Sequence, residues 1–183
     1  KASQVQGLSK WLQIDIMDGK FVAGRSVTVK DLSGIIFDNL LEIHLMAKKP
    51  EKYFKDCEGI KARRVYFHYE AVKDPEEILK IAKNYNFEIG LAINPETPVE
   101  KISGYLKEIK TVLVMSVNPG AQAQTFIEST LEKIIALKNM ALELGEGLAG
   151  RCLVRGGAML LAPALPGILP LIVAMTLTGL AVQ

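Results

Sequence analysis

The sequence predicts an α/β fold built on a parallel sheet, and three observations predict it. Short apolar runs alternate with longer amphipathic, Lys/Glu-rich stretches along most of the chain, which is the order of strands joined by crossover helices. Helix-start signals sit where those stretches begin: Asp74-Pro75-Glu76-Glu77 reads as an N-cap, a Pro at the first helical position and an acidic first turn. No GxGxxG or GxxxxGK[ST] follows the first strand, as an open nucleotide-binding sheet would require, so a closed (β/α)8 barrel is preferred.

The elements follow in order. "WLQIDIM" is the first strand, with Leu12, Ile14 and Ile16 on one face and Gln13, Asp15 and Met17 on the other. "LLEIHLM" is the second strand, and "EKYFKDCEGI" is the helical stretch after it. "RRVYFHY" is the third strand and leads to the helix "DPEEILKIAKNYN". "FEIGLAI" is followed by "PVEKISGYLKEI", where Thr97-Pro98 repeats the cap-and-proline signal. "TVLVMSV" precedes a helix expected to begin near Thr125, within "QTFIESTLEKIIALKNMALELG". "RCLV" and "LIVAM" complete about seven strands, one short of the barrel's eight, and a missing strand would lie before residue 1.

The 183 residues, 49% of them hydrophobic, read as a single domain with a sizeable core. Residues 1–150 form its body and residues 151–183 a divergent apolar tail. A formal charge of +2, from 22 basic and 20 acidic residues, gives no electrostatic case for nucleic acid. Cys57 and Cys152 lie in no CxxC or Cys/His spacing, which fits a reducing cytoplasm better than a disulfide framework or structural zinc. Lys1 opens the chain without a Met or an apolar leader, which reads as a piece of a longer protein. Residues 156–183 carry no charge and exceed the roughly 20 residues that span a bilayer. Pro163, Pro166 and Pro170 favour a last strand and short helices of a barrel over a membrane helix, and a stretch of foreign sequence is the third reading.

Barrel sites form at the C-terminal ends of the strands. The polar candidates there are Gln13 and Asp15, Glu42 and His44, His68 and Glu70, Asn94, Ser116, Asn118 and Arg155. Asp15 is the first of interest, because a lone carboxylate inside a core strand costs several kcal/mol unless it is solvated, paired or used. His44 beside it makes an imidazole-carboxylate pair that suits a divalent metal, although a lone strand histidine is more often a hydrogen-bonded core residue. Met17, Met46 and Met115 occupy comparable strand ends, as an apolar wall or as ordinary core. Gly120, in "NPGAQAQ", and the pair Gly156-Gly157 would let backbone N–H groups face an anion such as phosphate, or simply make turns.

These motifs together resemble the ribulose-phosphate 3-epimerase family, phosphosugar isomerases of the TIM-barrel class. "IDIMDGKFV" is similar to the family's DxMDGxFV, "LEIHLM" to DVHLM, "FHYEA" to FHxEA, and "LAINPETP" and "VLVMSVNPG" to its next two strand ends. "LVRGGA" is similar to VDGGI, and beyond it the match is faint. The resemblance implies reversible inversion at C3 of D-ribulose 5-phosphate to give D-xylulose 5-phosphate through an enediolate. It also implies two aspartates as acid/base groups and two histidines around a divalent cation of the zinc, iron, manganese or cobalt class. Carried over by position, Asp15 matches a catalytic aspartate and metal ligand, and His44 a histidine ligand. Met17, Met46 and Met115 match a methionine wall, and Gly120, Gly156 and Gly157 match parts of the phosphate grip.

The chain departs from the pattern at several positions. Gln13 replaces the first histidine ligand and Arg155 the second catalytic aspartate. "GAQAQ" stands for GFGGQ, and the family's first strand has no counterpart. An amide is the weaker ligand, and a guanidinium cannot act as a base near neutrality. An epimerase, intact or impaired, is therefore expected, with an inactive phosphosugar-binding relative or a tail-anchored membrane protein as alternatives. The expected partner is a phosphosugar, a membrane is disfavoured, and a homo-oligomer is left open.

Overall fold

The computed structural model describes residues 10–120 and 125–143, and the backbone of 152–155. Six strands stand side by side in chain order: β1 Trp11–Met17, β2 Leu40–Met46, β3 Arg64–His68, β4 Glu88–Ile93, β5 Thr111–Met115 and β6 Cys152–Arg155. Every neighbouring pair is parallel. Strand order that never reverses is the order of a barrel wall, whereas a doubly wound sheet turns back at a switch point. The described part is thus an α/β parallel sheet consistent with a partial (β/α)8 barrel. The expected strand "LIVAM" and the uncharged segment 156–183 lie outside the described residues. Among those residues no helix is long and apolar enough to cross a membrane.

Alternation along each strand divides the sheet into two faces. Ile16, Ile43, Leu45, Val65, Phe67, Leu91, Ile93, Val112 and Val114 pack with the helices into one buried cluster. Each such side chain contributes about 1.5–3 kcal/mol on burial. The opposite face holds a smaller apolar cluster of Tyr66, Ala92, Leu113, Met115 and Val117. That face also carries polar side chains, among them the buried Gln13, Glu42, His44, Arg64, His68 and Thr111.

Helices α1 (Phe54–Gly59), α2 (Pro75–Ala82) and α3 (Thr130–Glu143) cover the outer face. Helix α2 starts as its sequence dictates: Asp74 Oδ1 accepts from the Glu77 N–H at 3.1 Å, with Pro75 at the first turn. Two expectations are corrected. Val99–Tyr105 is a 3-10 helix, not an α-helix, and its N-cap is Pro98 with no side-chain cap bond. The Thr97 hydroxyl donates to the Glu70 carboxylate instead, a charged acceptor that forms the stronger bond. Helix α3 begins at Thr130, not near Thr125. Before it, the Ile127 N–H donates to the Ser116 carbonyl at 2.9 Å and holds the chain against the end of β5. The Thr130 hydroxyl then donates to the Ile127 carbonyl.

Candidate active site

Register sets the first pair. Asp15 of β1 lies beside His44 of β2, and parallel neighbours in register share a face, so both side chains point away from the helices. His44 Nδ1 is 3.2 Å from Asp15 Oδ1, with the imidazole fully buried and the carboxylate 12% exposed. Gln13, two residues earlier on the same face, donates from Nε2 to Asp15 Oδ1 at 3.4 Å. Its carbonyl oxygen Oε1 is buried with no hydrogen-bond partner. An orphaned buried oxygen is costly, and a ligand that supplies a positive charge or a donor relieves it.

The contacts continue inward from His44. Its Nε2 lies 2.8 Å from Nε2 of His68, whose Nδ1 lies 3.3 Å from Glu70 Oε2. The other carboxylate oxygen, Glu70 Oε1, accepts from the Asn94 backbone N–H at 2.8 Å and from the Thr97 hydroxyl. Burial pushes the Glu70 acidity towards the neutral form, but hydrogen bonds from His68, Thr97 and Asn94 outweigh it and hold the carboxyl below its usual range. The Phe21 ring covers His68 at 4.8 Å between centroids. Lys133 of α3 donates to the carbonyls of Asn94 and Thr97 at 3.3 and 2.6 Å and to that of Pro95. The loop that holds Glu70 is thereby tied to the helical layer.

The turn after β1 lies over the same end of the strands. Asp18 accepts from the N–H groups of Lys20, Phe21 and Lys48 at 2.8–2.9 Å, so the loops after β1 and β2 are joined through one carboxylate. Burial opposes ionisation of Asp18, and the Phe21, Lys48 and Lys20 N–H groups overcome it, leaving the carboxyl more acidic than usual. A cavity of about 300 Å³ beside this turn is lined by Asp18, Lys20, Arg25, Lys48, Lys49, Lys52 and Tyr53. Neither Asp15 nor His44 lines it. Met17 and Met46 are paired in register. Met115 belongs to the small inner-face cluster. Gly120 has φ +90°, and a Cβ there would lie 2.7 Å from Val22 Cβ, so the expected glycine turn closes against the loop after β1.

Sequence reasoning grouped Glu42 with His44, and the structure separates them. Glu42 bonds Arg64 of β3, which also donates to Glu88 of β4 at 2.9 and 3.1 Å. Two residues along a strand displace a side chain by roughly 6–7 Å, which takes Glu42 out of the Asp15–His44 contact. Backbone register sets Arg155 beside Met115 at the end of β6. Gly156 and Gly157 lie outside the described residues. The structure adds Phe21, Thr97 and Lys133 to the surroundings of the site, and only "FHYEA" carried a signal for this region: His68 and Glu70 are spaced two apart at a strand end.

Asp15 Oδ1 and His44 Nδ1 bring one oxygen and one nitrogen donor together, types that suit a borderline divalent cation. It is a thin set: among the described residues no three His, Cys, Asp or Glu side chains are grouped to hold a metal.

The described sheet, consistent with part of a (β/α)8 barrel, carries a carboxylate-imidazole pair on its inner face, and comparison with known proteins identifies its kin. The profile described as "Ribulose-phosphate 3 epimerase family" matches residues 1–162, and the chain belongs to that family. Proteins named ribulose-phosphate 3-epimerase are 34% identical over 135 residues in Schizosaccharomyces pombe, 33% over 151 in Chlamydia pneumoniae and 32% over 143 in Bacillus subtilis. These matches cover 71%, 81% and 77% of this chain. They cover only 59%, 65% and 66% of the relatives' own lengths.

Proposed function

We propose that this chain carries the chemistry of a ribulose-phosphate 3-epimerase in impaired form, with Asp15 moving the C3 proton of D-ribulose 5-phosphate on one face of an enediolate. The observation that carries the reading is the Asp15–His44 pair, 3.2 Å apart on adjacent strands with the carboxylate partly open and the imidazole buried. The proton at C3 is acidic because the neighbouring ketone delocalises the charge left behind, and a positioned carboxylate can take and return it. Asp15, His44 and Gln13 would hold a divalent cation. When bound, that cation supplies positive charge as negative charge develops on the substrate oxygens. Met17, Met46 and Met115 would wall the planar intermediate, and Gly120, Gly156 and Gly157 would take the phosphate. The six described strands would be part of a complete (β/α)8 wall.

Inversion needs a second acid/base on the opposite face, and Arg155 stands where the family pattern has an aspartate. A guanidinium stays protonated, so exchange at C3 outpaces inversion. The test is proton NMR of ribulose 5-phosphate in D₂O, with and without Zn²⁺. Loss of the C3 proton is expected at least about tenfold faster than xylulose 5-phosphate appears, in line with the usual contribution of a general acid/base. Asp15→Asn should abolish both signals.

A second reading, a non-catalytic phosphosugar binder, is favoured by the same register position of Arg155 beside Met115. An arginine at a strand end can hold a phosphate or pair with a carboxylate without a metal. Binding of the sugar phosphate with neither exchange nor product would establish it in place of the first.

A further inference from the structure

Positive charge collects in the cavity of about 300 Å³ between the loops after β1 and β2. The first loop contributes Lys20 and Arg25, and the second contributes Lys48, Lys49 and Lys52. Asp18 is the single carboxylate of the lining. The whole chain carries a formal charge of only +2, so the cationic excess is local and the rest of the chain is net acidic. Among the described residues none of the five cations forms an ion pair. Like charges that face one concavity repel one another and focus a positive potential in it, which an anion relieves.

The backbone holds this arrangement in place. Asp18 Oδ1 accepts from the N–H groups of Lys20 and Phe21, and Oδ2 accepts from that of Lys48. The carboxylate is thus turned to the main chain, where it clasps the two loops together, and leaves the side-chain cations to face the cavity. Asp18 and Arg25 are bridged in antiparallel fashion across the first loop. Gly19 has φ +69°, and a Cβ there would lie 2.6 Å from Arg25 Nε, so the arginine side chain lies against a turn that only a glycine leaves open. On the other side a 3-10 helix, Pro50–Tyr53, begins directly after Lys49. Its Lys52 N–H donates to the Lys49 carbonyl at 3.2 Å, and this tight turn carries Lys52 and Tyr53 to the same cavity as Lys48 and Lys49. The Tyr53 phenol adds an uncharged donor, since burial and Asp18 both hold its proton on.

The size and the charge together select the ligand. The cavity is at the lower end of small-molecule pockets, which run from about 300 to 1,000 Å³, and its cations are gathered in a hollow instead of along a stripe that would track a nucleic acid. One phosphoryl group carries about −1.5 to −2 near neutrality, which leaves much of the cationic excess unanswered. Two such groups come close to matching it. We propose that the cavity between the loops after β1 and β2 is a binding site for a small molecule with two phosphoryl groups, a diphosphate or a bisphosphate. Asp15 and His44 do not line it. Phe21 stands between the two places, with its ring 4.8 Å from that of His68 and 5.6 Å from Lys48 Nζ. The proposal goes beyond the epimerase reading and needs none of its chemistry.

The test is calorimetric titration of the full chain with inorganic pyrophosphate in metal-free buffer, with inorganic phosphate as the comparison. Pyrophosphate is expected to bind one to one, at least about tenfold tighter than phosphate, as a second set of charge-assisted hydrogen bonds implies. Binding should weaken as NaCl rises. Lys49 and Lys52 are exposed, so Lys49→Gln combined with Lys52→Gln should leave the fold intact and weaken pyrophosphate binding about tenfold or more. Lys101→Gln combined with Lys107→Gln removes the same charge from exposed positions after β4 and should leave the affinity within about twofold, the residue of long-range screening.

No heat with millimolar pyrophosphate would overturn the proposal, as would equal losses in the two double variants, which would trace binding to overall charge. Equal affinity for phosphate and pyrophosphate would overturn the assignment of two phosphoryl groups. Binding of duplex DNA in place of pyrophosphate would reassign the surface to nucleic acid. Ribulose 5-phosphate that displaces pyrophosphate from the wild type would hand the cavity to the sugar's own phosphate and end its standing as a separate site. Pyrophosphate titration involves no turnover, so a chain that fails to exchange the C3 proton sinks the catalytic reading and leaves this result as it stands.

Discussion

A Cβ placed on Gly90 would lie 2.7 Å from Tyr66 Cδ1, 2.7 Å from Thr111 Cγ2 and 2.8 Å from the Thr111 carbonyl oxygen. The three residues are in register across β3, β4 and β5, so the Tyr66 ring occupies the room that a β4 side chain would take. Tyr66 is fully buried, and burial pushes its phenol above the usual range. Its hydroxyl lies 3.4 Å from Glu42 and 3.5 Å from Thr111, so the ring cannot swing away without breaking polar contacts. Gly90→Ala should cost about 1–3 kcal/mol, the usual range for overpacking, read as a lower urea midpoint with an unchanged slope. Nothing in "FEIGLAI" announced this, because the clash comes from strands 24 and 21 residues away. Asp15 and His44 were legible, since a charge inside an apolar alternation must be explained locally. The contacts that hold Glu70 were not, because they come from the Asn94 N–H and Thr97 hydroxyl beyond the next strand.

Among elements, β2, β3 and β4 are joined by Glu42, Arg64 and Glu88, with the Arg64 guanidinium also 4.5 Å from the Trp11 ring of β1. Glu42 is 2% exposed, and burial raises its pKa above the usual carboxylate range even though Arg64 opposes the shift. Arg64 is shifted the other way from its burial: proximity to Tyr66 and Glu42 holds it protonated. Removing the cation is therefore worse than removing the anion. Arg64→Met leaves a buried carboxylate unpaired and should cost about 3–5 kcal/mol at neutral pH. Glu42→Gln should cost less, because Arg64 keeps Glu88. A urea double-mutant cycle checks this, and equal costs for the two single variants would contradict the asymmetry. Alternation placed Glu42 on the correct face, but periodicity gives a face and not a height along the barrel. The same limit explains the late start of α3. A helical pattern from Thr125 was readable, but the Ile127 bond to the Ser116 carbonyl that delays the helix joins segments the pattern cannot relate.

Across the whole molecule, the carboxylates set how stability responds to acid. Folding strengthens the acidity of Glu70 through His68, Thr97 and Asn94, and that of Asp18 through three backbone N–H groups. For each, the folded value lies below the unfolded one, so the stabilisation is complete above the ordinary values of 4.5 and 3.8 and is lost as pH falls through the folded values. Glu42 runs the opposite way: its folded value is raised, so its ionisation weakens the fold as pH climbs, and protonation on acidification gives some of that back. Glu70 matters beyond its own contact because it joins the end of β3 to the loop after β4, which Lys133 then ties to α3. The urea midpoint should stay level from neutrality to about pH 5 and then decline, following the two strengthened carboxylates. Glu70→Gln should begin lower at neutral pH and decline less steeply in acid, since an amide keeps the hydrogen bonds but has no proton to take up. Glu42→Gln should decline more steeply than the wild type, because it lacks a carboxylate whose protonation offsets the loss. Parallel curves for all three proteins would mean that neither glutamate changes its acidity on folding, and the polar line behind His44 would then lack its anionic anchor.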